Sequence, residues 1–491
     1  VGAGKAGRTN VLNKMKKKIL IYNWIPFDET EGKGGGVTVY TKNLIKYLTE
    51  HTDLDIYFLS SGRAYDRKRR GTFIERTSNI LGKSCKSYQV VNSPVLSSAN
   101  LSFAYPEDML EDRVLKKVIR NFFVKCGGFD IVHFQNFEGL SLSVLELKEE
   151  YPETRFIYSL HNYYLFCPQV MLWKGDKESC AERRCGSVCI ACMPKNVHKG
   201  KVIYNQQLSY ELAANRKVSL LQREVQDALE ETCKIYDRYQ AGRIRIRTKK
   251  RLARNFQLFR ERNIWHINQY MDVVLAVSNR VAEIAMNYGV DEKKLVVNYI
   301  GTEAASAQRG YGLYPYDGKV FTLCYLGYMR KMKGFYFLLD ALEHMPAELA
   351  GSIGVKLAAA GTDQEAKKRI ENLKKKFAQV IFYPGYTHEQ LPEIFGNVQL
   401  GIVPSLWEDN LPQVAIEMKA QGIPVLASDL GGAKELTLSG DFVFQAGNEA
   451  ALIERINFFM KNPKQLEEYW RQAPRLISMQ EHVEELKTFY M

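Results

Sequence analysis

At 491 residues with 46% hydrophobic content, the chain is too long for one ordinary core and has ample apolar material for two or three domains. Its net charge of +13 calls for an anionic partner, whether nucleic acid, anionic lipid or a phosphorylated substrate, without choosing among them. No run of about 18 apolar residues occurs, which argues against a spanning helix, and nine cysteines with no apolar leader read as thiols or metal ligands in a cytoplasmic protein.

Residues 1–14 (VGAGKAGRTNVLNK) are small, polar and unpatterned, so they read as a cloning remnant with Met15 as the native start. Residues 15–305 form the first expected domain. Its opening run KILIYNW (18–24) predicts a buried strand, followed by a turn at Gly34, Gly35 and Gly36 and a helical pattern through Val39, Leu44 and Leu48. Strand-like runs recur at 54–59, 130–134 and 156–160, with helical patterns between them such as 140–150. This alternation predicts an α/β domain, a parallel sheet with helices on both faces. His161, in SLHNYY, ends the last of these strands and is therefore expected at the ligand-binding edge of the sheet.

Next comes a Cys-rich loop, 167–198. Cys180-x4-Cys185-x3-Cys189-x2-Cys192 offers four thiols at a spacing compatible with structural zinc, with Cys167 and His198 as substitutes and free or redox thiols as the competing reading. Residues 199–268 are polar and helical in pattern, with Val218, Leu221, Val225, Leu229 and Tyr236 recurring at spacings of three or four, and predict a helical insertion. Within them RIRIRTKKRLARNFQLFRER (243–262) is heavily basic, with Leu252, Phe256 and Phe259 on one face. Two readings stay open: a solvated helix packed on the domain, or peripheral contact with an anionic membrane, aided by the basic loop 67–70.

A second strand series runs through 273–277, 295–299, 322–326, 355–359, 379–383, 400–403 and 424–427. The small, Gly- and Pro-rich stretch 302–318 marks the domain boundary. Residues 306–465 are then the second doubly wound domain, and 466–491 a helical tail expected to pack back on the first.

The richest chemical signal is LWEDNLPQVAIEMKAQGIPVLASDLGGAKEL (406–436). A strand ends at Pro404, a loop carries Glu408, Asp409 and Asn410, and a helix begins near Leu411 whose amino terminus is suited to an anion. Glu417 lies inside that helix, and Gly431 and Gly432 form a second turn at the end of the next strand. Upstream, YLGYMRKMKGF places Arg330 and Lys333 at another strand end, a planar fork and a point charge of the kind that neutralise phosphates.

These segments resemble the donor-binding half of retaining glycosyltransferases of family 4, bacterial surface-glycan type, with Asp409 where a Glu usually stands and Glu408 beside it. The resemblance implies the GT-B fold, two Rossmann-like doubly wound domains facing a central cleft. It implies a hexosyltransferase that moves a sugar from a UDP- or GDP-linked donor to a glycan or lipid-linked acceptor. By it, Arg330 and Lys333 clamp the diphosphate, Glu417 binds the ribose, Asp409, Asn410, Leu411 and Pro412 contact the donor, and Gly35 and Gly36 face the cleft. His161 lies near acceptor and donor sugar, and Gly385 and Tyr386 lie near the base. No Asp-x-Asp motif accompanies the site, so no catalytic metal is expected. The competing readings are a nucleotide-sugar epimerase or other non-transferase enzyme on the same fold and, more remotely, a nucleic-acid-binding protein. For the latter no recognised nucleic-acid module is present.

Overall fold

The computed structural model describes residues 16–28, 34–182, 186–194, 197–213, 246–306 and 316–491, with short helical pieces at 224–225, 227–229 and 231–233. Strands covered by helices on both faces must be apolar at nearly every position. Lys18–Tyr22 (β1), Ile131–Phe134 (β5), Arg155–Leu160 (β6) and Val273–Ala276 (β9) are largely of this character, and Asp55–Ala64 (β2) is as buried although its second half is SSGRA. With Phe73–Arg76 (β3), Cys85–Val91 (β4) and Leu295–Val297 (β10) they form an eight-stranded sheet in the order β10-β9-β6-β5-β1-β2-β4-β3. All pairings are parallel except β3 with β4. Two short strands, Trp173–Lys174 (β7) and Glu178–Ser179 (β8), make a separate hairpin in the cysteine loop.

The second sheet contains Phe321–Tyr328 (β11), Ile353–Ala360 (β12), Gln379–Tyr383 (β13), Leu400–Val403 (β14), Val425–Ser428 (β15) and Val443–Phe444 (β16). Its order is β13-β12-β11-β14-β15-β16, parallel throughout. Each sheet reverses its direction of winding once, between β1 and β5 in the first and between β11 and β14 in the second. Loops at such a reversal diverge to opposite faces and leave a crevice outside the carboxyl ends of the strands. The two crevices are where the first domain and the second meet.

The carboxyl-terminal tail is two helices, Lys464–Gln472 and Met479–Tyr490, broken at 473–478. The second starts with a capping box, in which Ser478 and Glu481 satisfy each other's backbone amides. It lies against helix Gly35–His51, and its Val483, Leu486 and Tyr490 share one apolar core with β1, β5 and β6. Arg155 Nη1 holds the terminal Met491 carbonyl at 3.0 Å.

In the insertion, Lys199–Ala213 and Ile246–Tyr270 are helical. Phe256 and Leu252 pack on Phe103, and Phe259 joins the main core, while Lys249, Lys250, Arg251 and Arg254 are exposed. Val218, Leu221 and Tyr236 lie outside the described residues. Residues 142–149, read as an α-helical pattern, form a 3₁₀ helix instead, in which all but Glu146, Lys148 and Glu149 are buried. Its apolar residues, Leu142, Val144, Leu145 and Leu147, are joined in burial by Ser143. Among the described residues no helix is long and apolar enough to cross a membrane.

Candidate active site

On the second domain the crevice is built by the loops that leave β11 and β14. Gly334, with φ +72°, ends the first loop, and a Cβ there would lie 1.7 Å from the Pro404 carbonyl oxygen. Only glycine permits that approach. It lets Met332 accept a hydrogen bond from the Leu406 amide at 2.9 Å, which ties the two loops together. The consequence is an ion pair across the reversal, with Lys333 Nζ 2.6 Å from Asp409 Oδ2. Lys333 also lies 5.1 Å from the centre of the Trp407 ring. Arg330 sits at the mouth of the same loop, exposed and without an ion pair among the described residues.

A second glycine turn, after β15, braces the carboxylates from behind. The Gly432 amide donates to the Asp409 carbonyl at 2.7 Å, and the Gly431 amide donates to Glu408 Oε2 at 2.9 Å. Added Cβ atoms would lie 2.3 Å from the Asp409 carbonyl oxygen at Gly431 and 2.1 Å from that of Asn410 at Gly432.

Glu408 and Asp409, adjacent in sequence, do different things. Glu408 takes a two-pronged ion pair from Arg280 of the first domain, at 2.9 and 2.5 Å. Nearby, Ser278 Oγ donates to the Asn410 carbonyl at 2.8 Å, and Glu435 accepts the amides of Asn279 and Arg280 at 2.9 and 2.7 Å. Tyr163 of the first domain meets Trp407 edge to face, 6.5 Å between centres. Glu408 is thus a domain fastener, and Asp409 is the carboxylate that faces Lys333. Arg280, Ser278 and Glu435 were not legible as site residues, because their roles arise only where the two domains touch.

Helix Gln413–Ala420 begins two residues later than the sequence suggests, with Pro412 in the capping position. Gln413 Nε2 donates to the Gly36 carbonyl at 2.9 Å, so the glycine loop of the first domain abuts this helix start. A Cβ on Gly36 would come 2.9 Å from the Gln413 side chain. Gly35, by contrast, has open space where a Cβ would stand. Further along the helix, Glu417 Oε1 lies 3.1 Å from His388 Nε2, and its Oε2 is buried with no hydrogen-bond partner. The bond to Glu417 raises His388 above its ordinary value. Gly385 and Tyr386 follow β13, where burial and then the Glu417 charge push the Tyr386 hydroxyl upward.

The facing crevice on the first domain is lined by the ends of β5 and β6. His161 Nε2 is 2.9 Å from Gln135 Oε1, and its ring is 4.7 Å from that of Tyr40. Burial lowers His161 to about 3, with nearby His482 adding to it, so the imidazole is neutral at ordinary pH. Behind it Asn162 donates to Glu138, which burial raises to about 7. Asn136 Nδ2 donates to Asn23 Oδ1 at 2.7 Å, and Asn136 Oδ1 accepts the Trp24 amide, which joins the loop after β1 to that after β5. Gln135, Asn136 and Glu138 had a readable signal: FQNFEG is a polar cluster at the end of a buried strand.

In the cysteine loop, Cys167, Cys180, Cys189 and Cys192 line one small cavity of about 20 Å³ with Phe103 and Arg260. Cys185 lies outside the described residues. Among those described, no group of three or more His, Cys, Asp or Glu is arranged to hold a metal ion. An open cavity of about 550 Å³ lies on the outer side of the inter-domain contact, beside Arg280, Glu283, Lys434 and Glu435.

Residues 315–476, which carry Arg330, Lys333, Asp409 and Glu417, match the family described as Glycosyl transferases group 1. This stretch, about a third of the chain, is similar to the group 1 glycosyltransferase domain. Over 211 residues the sequence is 28% identical to the lipopolysaccharide core biosynthesis mannosyltransferase LpsB of Rhizobium meliloti. That match takes in 40% of this chain and 57% of LpsB, so the shared region spans little more than half of the relative. Likeness in structure extends beyond the matched stretch. The sucrose-phosphate synthase of Thermosynechococcus elongatus superposes with a TM-score of 0.58 at 14% identity, over 97% of this chain and 98% of that one. HepE of Anabaena, in complex with UDP, gives 0.54 at 14% identity over 96% and 98%. At such identities the likeness speaks to fold, and the fold is GT-B, with the matched stretch as its second half.

Proposed function

We propose that the protein is a retaining glycosyltransferase that moves a hexosyl group from a nucleotide-diphosphate sugar to a glycan or lipid-linked acceptor in surface polysaccharide synthesis. The observation that carries this reading is the Lys333–Asp409 pair at the sheet reversal of the second domain, with Arg330 on the same loop as Lys333 and Glu417 on the helix that abuts Gly36. The name of LpsB supports the surface-glycan context, and the UDP complex of HepE supports a nucleotide donor. Whether that donor is UDP- or GDP-linked is left to experiment.

In this reading the bond between the anomeric carbon and the diphosphate oxygen breaks, and the acceptor hydroxyl oxygen bonds to the same carbon from the same face. The acceptor proton passes to the departing phosphate, and the products are the lengthened acceptor and free nucleoside diphosphate. Arg330 and Lys333 stabilise the charge that grows on the leaving oxygens, an effect that is large in a crevice shielded from water. Glu417 Oε2, buried and without a partner, accepts from a ribose hydroxyl. Asp409, fixed by Lys333 and the glycine turn, orients the donor sugar. His161, held neutral, serves as a hydrogen-bonding wall of the acceptor side rather than as a cation.

Two finer readings accompany it. Exposed Lys249, Lys250, Arg251 and Arg254 support peripheral contact with anionic lipid. Cys180, Cys189 and Cys192 around one small cavity support a structural zinc bound by Cys180, Cys185, Cys189 and Cys192, and metal analysis of anaerobically purified protein tests it.

The main test is a thermal-shift screen of UDP- and GDP-sugars followed by a transfer assay. One nucleotide series raises the melting temperature by mass action, and nucleoside diphosphate is released only when acceptor is present, with anomeric configuration retained. No stabilising donor, an epimerised donor sugar without acceptor, or an inverted product overturns the proposal.

A further inference from the structure

His161 stands at the acceptor-side crevice with Nε2 on Gln135 and, among the described residues, no hydrogen-bond partner for Nδ1. One hydrogen bond leaves an imidazole free to swing about the bonded atom. What restrains the ring is Tyr40, 4.7 Å away and tilted by 54°. Tyr40 lies on the helix that follows the glycine loop, and its hydroxyl is 2.6 Å from Nε2 of His482 on the final helix. Both are almost wholly buried, at 3% and 1% exposure. A buried hydroxyl and imidazole cost free energy unless they meet each other, and Phe and Leu would fill the same space without that requirement.

The final helix makes a second contact of the same kind. Tyr490 OH is 2.8 Å from His133 Nδ1, and His133 Nε2 is 2.8 Å from Ser159 Oγ, two residues before His161 on β6. Through His133 of β5 the helix therefore reaches the strand that His161 follows, as well as the ring that faces it.

We infer that Tyr40 and His482 are positioning residues for His161, so that docking of the last helix is a condition for an ordered acceptor site. The inference rests on reading the crevice as a glycosyl-transfer site. Because the final helix follows the second domain in the chain yet packs on the first, the contact reports at the acceptor side that the tail is seated. Burial lowers His482 to about 4, so its ring is neutral at ordinary pH and Nε2 is able to accept from the Tyr40 hydroxyl.

The test compares Tyr40→Phe, His482→Leu and His482→Gln in the full chain, with nitrogen-15 spectra of the His161 ring beside steady-state kinetics. Tyr40→Phe and His482→Leu are expected to lower turnover about tenfold, to shift or broaden the His161 resonances, and to leave nucleotide-induced stabilisation unchanged. His482→Gln, whose amide oxygen can still accept from Tyr40, recovers most of both signals. Should His482→Leu fail to fold, Tyr40→Phe alone decides. Unaltered turnover and unaltered His161 resonances in a folded Tyr40→Phe overturn the inference, as does equal loss in His482→Gln and His482→Leu. If the resonances move as expected but no donor supports transfer in the unaltered protein, the positioning stands and the proposed function falls.

Discussion

Lys333 Nζ stands 2.6 Å from Asp409 Oδ2, joining the loop after β11 to the loop after β14 at the point where the sheet reverses. In the proposed reaction the pair lies beside the donor diphosphate. Lys333→Met and Asp409→Asn should each lower turnover by about 10²- to 10³-fold, the usual cost of removing one preorganised charge. Each should also destabilise the fold by about 1–3 kcal/mol, since each leaves a partly buried partner unmatched. The double substitution should cost less than the sum, and thermal unfolding of all three variants measures that coupling.

Glu408 is predicted to behave differently although it adjoins Asp409. Its bonds run to Arg280 of the first domain and to the Gly431 amide. Glu408→Gln and Arg280→Gln should loosen the contact between domains. The expected signature is a donor KM raised up to about tenfold with turnover largely kept, since the lost interaction favours closure rather than the transition state. Small-angle scattering should show a larger radius in the absence of nucleotide. If Glu408→Gln abolishes turnover as Asp409→Asn does, the division of labour between the two carboxylates is wrong.

That division could not be read from the sequence, and the reason is physical. Buried parallel strands announce themselves because their runs are mostly apolar: LGIV in β14 and VLAS in β15 could be little else. Edge strands carry no such mark. FIER in β3 is half exposed and pairs antiparallel at the margin of the sheet, and β16 has only two residues. Motifs gathered within one domain were visible as spacings, so Arg330, Lys333, Asp409 and Glu417 could be singled out together. Contacts between domains were not, because Arg280 and Glu408 are separated by 128 residues of chain and nothing local marks either as the other's partner.

The hydrogen bond between His388 and Glu417 should make stability depend on pH. Glu417 raises His388 above its ordinary 6.5. A histidine whose folded value lies above its unfolded one stabilises the fold fully below the unfolded value and loses that contribution as pH rises through the folded one. The stability gap between the unaltered protein and His388→Gln should therefore be constant below about pH 6.5 and shrink above it. Chemical denaturation at a series of pH values tests this. A gap that does not change with pH would mean the bond is absent in solution.

Charge reversal of Lys249, Lys250, Arg251 and Arg254 should release the protein from anionic vesicles while leaving turnover on a water-soluble acceptor intact. Each cation near an anionic surface contributes about 1 kcal/mol, so reversing four should weaken binding by well over tenfold. The apolar side of this helix is already occupied, with Phe256 and Leu252 against Phe103, so the contact should be electrostatic and salt-sensitive. Equal binding to neutral and anionic vesicles would exclude it.

Two glycines should prove indispensable for different reasons. At Gly334 a Cβ would lie 1.7 Å from the Pro404 carbonyl oxygen, and φ is +72°. Backbone cannot yield as a side chain can, so Gly334→Ala should separate the two loops and destabilise the fold by about 2–4 kcal/mol. At Gly431 the corresponding clash is with the Asp409 carbonyl oxygen at 2.3 Å, the backbone of the residue that pairs with Lys333. Gly431→Ala should push Asp409 away from Lys333, so that activity falls much further than melting temperature. A crystal structure of Gly431→Ala with the Lys333–Asp409 pair unmoved, or full activity in that variant, would show that the position of Asp409 does not limit the reaction.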